Sequence, residues 1–353
     1  MKLELRRSTV TTPAARDAKR SWPERQSLLL RLLDDSGSVG LGEASPLPGY
    51  SPDTLEQAEA ALSAVVPRFL TQALERGPVR EALSAVAELV PAERPAARMG
   101  LETAALDWLA RRAGVSAPEL LGAAPDGSRP LAQLLGPAAQ PALPELALAA
   151  VAAGFRDLKL KLGGGAQLEL ELSAITQLRQ RLGAQIRLRL DANGALTEHE
   201  LTRAWPELER AGIELFEEPG AVPTSLREQL PLALDESLQG ASAEEVESLL
   251  LERRPRCVVL KPMALGGLSH CWQLAELATR LGVAFVLSHS FDGVLAWRAT
   301  AALALALPPS LAHGLAPHAG MADVPDSELP VRAGSLSAWK ELGLGRTMPA
   351  GAT

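Results

Sequence analysis

Residues 155–162 read Phe155-Arg156-Asp157-Leu158-Lys159-Leu160-Lys161-Leu162, a short apolar run that carries a lysine at every second position near its end. Successive side chains of a strand point to opposite faces, so Lys159 and Lys161 share one face while Leu158, Leu160 and Leu162 share the other. Five further runs rich in Val, Ile and Leu follow, at 185–191, 213–217, 231–235, 256–261 and 283–288. Helix-like stretches separate them. Regular βα alternation of this kind predicts a parallel sheet, and so many units favour a closed barrel over an open one.

The ends of these runs carry the chemistry. They are Lys159-Leu160-Lys161, Asp191-Ala192-Asn193, Glu217-Glu218-Pro219, Asp235-Glu236-Ser237, Lys261-Pro262 and Ser288-His289-Ser290. In a βα barrel the active site is assembled at this C-terminal face from several strands. By parity, Arg187, Arg189 and Asp191 share a face, as do Ile213, Leu215 and Glu217. The mouth of the barrel is therefore expected to hold Asp191, Glu217 and Asp235, with lysines on both sides. Each Asp taken alone reads as a helix N-cap, but three acids at successive strand ends read better as ligands. Three adjacent carboxylates repel unless neutralised. A hard divalent cation resolves this, and all-oxygen donors suit Mg²⁺, with Mn²⁺ able to substitute.

Lysine usage points the same way. Of 35 basic residues only six are lysine, and three of these, Lys159, Lys161 and Lys261, lie within apolar strand-like runs. Arginine cannot give up its proton, whereas a buried lysine can. Together these groups suit removal of a proton alpha to a carboxylate: a neutral lysine as base, and a cation with an ammonium to stabilise the enediolate. Lys159 beside Lys161, with the metal close by, is expected to lower the lysine pKa.

The remainder of the chain bounds this reading. With 353 residues, 47% apolar and 22% charged, the chain can bury a substantial core in one large or two unequal domains. A net charge of −7 without a basic run argues against nucleic acid as partner. The N-terminus lacks the pattern of a signal peptide, and no apolar run approaches the ~20 residues of a membrane helix. Cys257 and Cys271 are too few for a disulfide framework. The expectation is a cytoplasmic enzyme acting on a small carboxylate, with oligomeric state left open. Residues 1–120 read as α+β, with a hairpin around Asp34-Asp35-Ser36-Gly37, a helix capped by Asp53, and helices near 79–90 and 97–113. The stretch 122–143 reads as a junction and 125–324 as the barrel, while the tail 325–353 is expected to return to the first domain.

The Lys159-x-Lys161, Asp191, Glu217, Asp235 and Lys261 series resembles the enolase superfamily, in its muconate-lactonizing subgroup. The resemblance implies a modified TIM barrel, (β/α)7β, under an α+β capping domain. It also implies Asp191, Glu217 and Asp235 as Mg²⁺ ligands, with Lys161 and Lys261 as catalytic residues. Gly40-Leu41-Gly42-Glu43-Ala44-Ser45-Pro46-Leu47-Pro48-Gly49-Tyr50-Ser51 is similar to the capping loop of the o-succinylbenzoate synthase family, as are Arg189-x-Asp191-Ala192-Asn193 and His313-Gly314-Leu315. That implies dehydration of 2-succinyl-6-hydroxy-2,4-cyclohexadiene-1-carboxylate, in menaquinone biosynthesis. Lys159, Arg189, Asn193, Ser288 and Ser290 are then expected at the substrate, and Pro48, Gly49 and Tyr50 in a lid. The Ser288-His289-Ser290-Phe291-Asp292 segment departs from the family's usual Ser and Glu. An N-acylamino acid racemase or dipeptide epimerase is the nearest rival, although the Asp-x-Asp of dipeptide epimerases is missing after the last strand. A Schiff-base aldolase on Lys161 and a metal-stabilised binding protein are the readings from other classes.

Overall fold

The structure, a computed structural model, describes residues 1–12, 15, 20–321 and 329–346 of the chain. Three N-terminal strands, β1 (Lys2–Thr11), β2 (Glu24–Leu33) and β3 (Val39–Ala44), form an antiparallel sheet in the order β1-β2-β3. The β2–β3 hairpin closes at the expected place, where the Asp34 carboxylate accepts from the Ser36 and Ser38 backbone amides. Four helices follow: α1 (Leu55–Ser63), α2 (Pro67–Leu74), α3 (Val79–Ala87) and α4 (Pro95–Ala113). The cap of α1 is Thr54, which forms a reciprocal capping box with Gln57. Asp53 is buried instead and accepts from the Ala96 amide in the first turn of α4, so it caps a different helix from the one expected. Helix α4 lies so close to β3 that a side chain at Gly40 or Gly42 would collide with the carbonyl oxygens of Ala104 or Gly100. The glycines of the Gly40-Leu41-Gly42 motif thus serve packing.

After α5 (Ala117–Leu120) and β4 (Ser128–Pro130) comes a seven-stranded parallel sheet. Its strands are β5 (Ala132–Pro137), β6 (Asp157–Lys161), β7 (Arg187–Asp191), β8 (Ile213–Glu217), β9 (Leu232–Leu234), β10 (Cys257–Leu260) and β11 (Ala284–Leu287), in sequence order across the sheet. The first of these falls inside the stretch read as a junction. A register shift between Leu134 and Gly136, and few β-branched residues, hide its period. The sheet curls, and residues 313–314 bridge its two edges: Ala132 donates to the His313 carbonyl at 2.8 Å, and Gly314 donates to that of Leu287 at 2.8 Å. His313 itself is fully buried and accepts from the Leu287 amide through Nδ1.

Helices α6 (Leu143–Ala152), α7 (Leu168–Leu182), α8 (Glu198–Arg210), α9 (Ala243–Arg253), α10 (Pro262–Leu265), α11 (Leu268–Arg280) and α12 (Val294–Ala306) make the crossovers, except between β8 and β9, where only the short 3₁₀ turn Thr224–Leu226 intervenes. Parts of the tail, 325–328 and 347–353, lie outside the described residues. Its described part forms β12 (Val331–Arg332) and β13 (Ser335–Ser337), with β13 paired to β4. Leu344 then donates to the Asp107 carboxylate of α4 at 2.7 Å.

A buried carboxylate is among the ties between cap and barrel. Glu102 of α4 accepts from the Leu268 and Ser269 amides at 2.5 and 3.0 Å, where it satisfies the start of α11. Burial raises its pKa from 4.5 to about 7. The folded protein therefore holds this proton more tightly than the unfolded chain does, and stability falls as pH rises from about 4.5 to about 7. Glu102→Ala is expected to cost about 1–3 kcal/mol in urea unfolding. Glu102→Gln is expected to flatten the slope of stability against pH in that window, and an unchanged slope would count against the assignment.

Candidate active site

Strand register brings the charged side chains together. The β6–β7 ladder sets Lys161 opposite Asp191, and the β7–β8 ladder sets Asp191 opposite Glu217. Leu158, Leu160 and Leu162 are fully buried on the opposite face, under the helices, which leaves both lysines inside the barrel. Lys159 Nζ donates to both Glu217 oxygens at 2.7 Å and lies 2.8 Å from Asp191 Oδ2. Lys161 Nζ donates to Asp191 Oδ2 at 2.6 Å and to Asn193 Oδ1 at 2.9 Å. Across the mouth, Lys261 donates to Asp235 Oδ2 and to the Tyr50 hydroxyl, the latter at 2.8 Å.

A second layer fixes these groups. Asn193, in the left-handed region at φ 44°, donates to Glu236 Oε1 at 2.8 Å. Glu218 accepts from the Asp235 and Ser237 amides at 2.8 and 2.9 Å, and so shapes the turn that presents Asp235. The Gly163-Gly164-Gly165 turn is held by Glu171 and Glu200 and does not line the cavity.

Electrostatics within the chain favour the charged forms of Lys159, Lys261 and Asp191. Burial by itself would lower the Lys159 pKa, yet Asp191 and Glu217 outweigh burial and hold the amine up as an ammonium. Lys261 is likewise held up, by Asp235 against burial. Asp191 is buried, but the surrounding lysines keep it well below the usual carboxylate range. The carboxylates, not the neighbouring lysine, dominate.

Arg189, expected at the substrate, lies at the base of the cavity. On the barrel floor its guanidinium donates to Glu214 at 2.6 Å, to the Ala312 carbonyl at 2.6 Å and to Asp157 at 3.1 Å. These bonds use three of its five N–H groups and fix the side chain at the base of the cavity, which it lines. The cause is an irregularity between β7 and β8, where Leu188 pairs with Ile213 but Arg189 with Leu215. Glu214 thereby reaches Arg189, and Ile213 leaves the face of Leu215 and joins the outer core. Cys257 packs inward with Leu215, Ala233, Val259 and Val286.

The cavity above is lined by Lys159, Lys161, Asn193, Lys261, Ser288 and Ser290 among others. Ser288 Oγ donates to the Gly314 carbonyl, while Ser290 Oγ is buried without a hydrogen-bond partner among the described residues. Its roof is aromatic. Trp22 stacks edge-on against Tyr50 at 6.3 Å, and Trp22 Nε1 donates to the Pro48 carbonyl at 3.0 Å. Together these contacts anchor the Pro48-Gly49-Tyr50 loop. Phe291 and His318 complete the wall, with rings 5.2 Å apart. Trp22 and His318 are thus cavity residues that no local motif marks. His289 is half-buried in the cavity wall, and desolvation lowers its pKa to about 3, so it is a neutral imidazole.

As they stand, no three His, Cys, Asp or Glu side chains among the described residues gather as a metal group. The donor chemistry nevertheless fits a hard cation. Asp191, Glu217 and Asp235 are buried oxygen donors on consecutive strands, each now turned to a lysine.

Comparison with known proteins decides the family. Residues 142–351 match the family described as enolase C-terminal domain-like. The chain belongs to the enolase superfamily. Residues 17–87 match the MenC N-terminal domain. Among relatives, o-succinylbenzoate synthase of Desulfotalea psychrophila is 28% identical over 80% of this chain and 84% of its own. L-Lys-D/L-Arg epimerase of Methylococcus capsulatus is 30% identical over 76% of each. The muconate lactonizing enzyme of Pseudomonas fluorescens superposes with a TM-score of 0.80 at 23% identity, over 98% of this chain and 95% of that one, a likeness of fold. The curled barrel under an α+β cap is therefore the enolase-like architecture. In this superfamily member, Arg189→Ala is expected to leave Asp157 and Glu214 with Arg187 as their remaining guanidinium and to cost about 1–3 kcal/mol of stability. A variant that kept its stability and lost only substrate affinity would make Arg189 a substrate contact.

Proposed function

We propose that this enolase-superfamily enzyme is an o-succinylbenzoate synthase, dehydrating 2-succinyl-6-hydroxy-2,4-cyclohexadiene-1-carboxylate to o-succinylbenzoate with Mg²⁺. The observation that carries the reading is the cavity's charge. Its described lining holds Lys159, Lys161 and Lys261 under an aromatic roof, and its only acid is Glu217, already bonded to Lys159. Such a cavity suits a dianionic, ring-shaped substrate and offers no free carboxylate for a substrate ammonium. The match of residues 17–87 to the MenC N-terminal domain supports it, since that segment supplies Trp22 and Tyr50 to the roof.

In this mechanism Lys161 removes the proton alpha to the ring carboxylate, and the electron pair passes into the carboxylate as an enediolate. Lys161 then returns the proton to the departing hydroxyl, which leaves as water from the same face, and the ring becomes aromatic. Lys261, on the opposite wall, holds its ammonium against the enediolate. Asp191, Glu217 and Asp235 would hold the Mg²⁺ ion. When bound, the ion would supply positive charge that stabilises the enediolate. Lys159 and Asn193 position Lys161 and the carboxylates, and Ser288 and Ser290 face the succinyl arm.

The purified protein with this substrate and Mg²⁺ is expected to produce o-succinylbenzoate. EDTA should abolish turnover, and Lys161→Ala should lower kcat by about 10²–10⁴. Undiminished turnover by Lys161→Ala would sink the mechanism. The 30% identical epimerase favours a second reading, in which Lys161 and Lys261 act as bases on opposite faces. Racemisation of N-succinylamino acids without dehydration would establish that alternative.

A further inference from the structure

The cavity wall contributed by the loop after β11 is held from the other domain. Phe291 adopts φ 54°, a left-handed conformation that is costly for a bulky residue and persists only where its surroundings enforce it. Its ring lies 6.1 Å from Trp22, 5.9 Å from His289 and 5.2 Å from His318. Its carbonyl accepts from Arg25 Nη1 of β2 at 3.3 Å. Arg25 Nε lies 3.8 Å from Glu43 Oε1 on β3. Arg25, Glu43 and Asp292 are 3%, 2% and 0% exposed. The cap presses on the loop here, because a side chain at Gly293 would collide with the Glu43 carboxylate. Asp292 Oδ1 accepts from the Ser290 amide at 3.3 Å and holds the loop from within. Burial, with Glu43 close by, pushes the Asp292 carboxyl up to about 7.

We propose that Arg25 is a positioning residue for substrate selection: from the N-terminal sheet, through the Phe291 carbonyl and the Glu43 contact, it holds Phe291 in its left-handed conformation and so sets the shape of the wall that meets the substrate ring. The strut joins the sheet that bears Glu43 to the loop that bears Ser288, His289 and Ser290, so cap and barrel determine this wall together. The substrate arm of the proposal rests on the dehydratase reading, whereas the strut itself does not.

The test compares wild type, Arg25→Lys, Phe291→Gly and the double variant by two measurements: steady-state kinetics with the cyclohexadiene substrate, and hydrogen exchange of the 288–293 segment without substrate. Glycine accepts a left-handed φ without cost, so Phe291→Gly removes both the ring and the need for the strut. Arg25→Lys should raise KM about tenfold, with a smaller change in kcat, and should speed exchange at 288–293 while the rest of the fold stays protected. Phe291→Gly should raise KM similarly, and the double variant should be no worse than Phe291→Gly alone. Additive effects on KM, or unchanged exchange in Arg25→Lys, overturn the proposal. If wild type does not turn over the substrate, the dehydratase reading fails and the exchange result alone decides the strut. Should Arg25→Lys not fold, Glu43→Gln takes its place: faster exchange confined to 288–293 supports the strut, and unchanged exchange overturns it.

Discussion

Three lysines and three carboxylates, nearly out of reach of water, must neutralise one another at the mouth of the barrel. Isolated in a low-dielectric interior, any one of them would be strongly destabilising. Here Lys159 bridges Asp191 and Glu217, Lys161 holds Asp191, and Lys261 holds Asp235. The arrangement is possible because a parallel ladder sets like positions of adjacent strands side by side, and because the barrel curls until β10 faces β6 across the cavity. Much of the surrounding structure preserves this geometry. Glu218 holds the turn before Ser237, Asn193 joins Lys161 to Glu236, and residues 313–314 close the ring of strands.

The barrel has two ionic levels with different duties. At the floor, Arg187 and Arg189 pair with Asp157 and Glu214, two cations against two anions. At the mouth, the ion pairs open onto a cavity and can be rearranged by a ligand of either sign. A cation can compete for the carboxylates and an anionic substrate for the ammonium groups. That contrast separates structural charge from chemical charge within one set of strands.

The capping domain does more than cover the barrel. Through Trp22 and Tyr50 it supplies the apolar roof, through Glu102 it caps a barrel helix, and through Arg25 and Glu43 it meets the loop that carries Phe291. A superfamily that shares its barrel chemistry among dehydratases, epimerases and cycloisomerases needs such a second source of shape. In the function proposed above, the lysines and carboxylates act on the acidic carbon, and the cap shapes the space above them.

The sequence by itself determined the parallel βα architecture and the charged strand ends, because both follow from local periods. Alternation places Lys159 and Lys161 on one face, and each strand end follows its own apolar run. The β2–β3 hairpin was equally legible from Asp34 to Gly37. What local period could not carry was decided in three dimensions. The irregularity between β7 and β8 turned Glu214 toward Arg189. Strand β5 lay hidden in a stretch whose alternation is broken by its own register shift. Trp22, Phe291 and His318 meet only because segments nearly 300 residues apart converge over the barrel. The direction of the lysine pKa shifts also awaited the fold, since it depends on how closely three carboxylates approach once water is excluded.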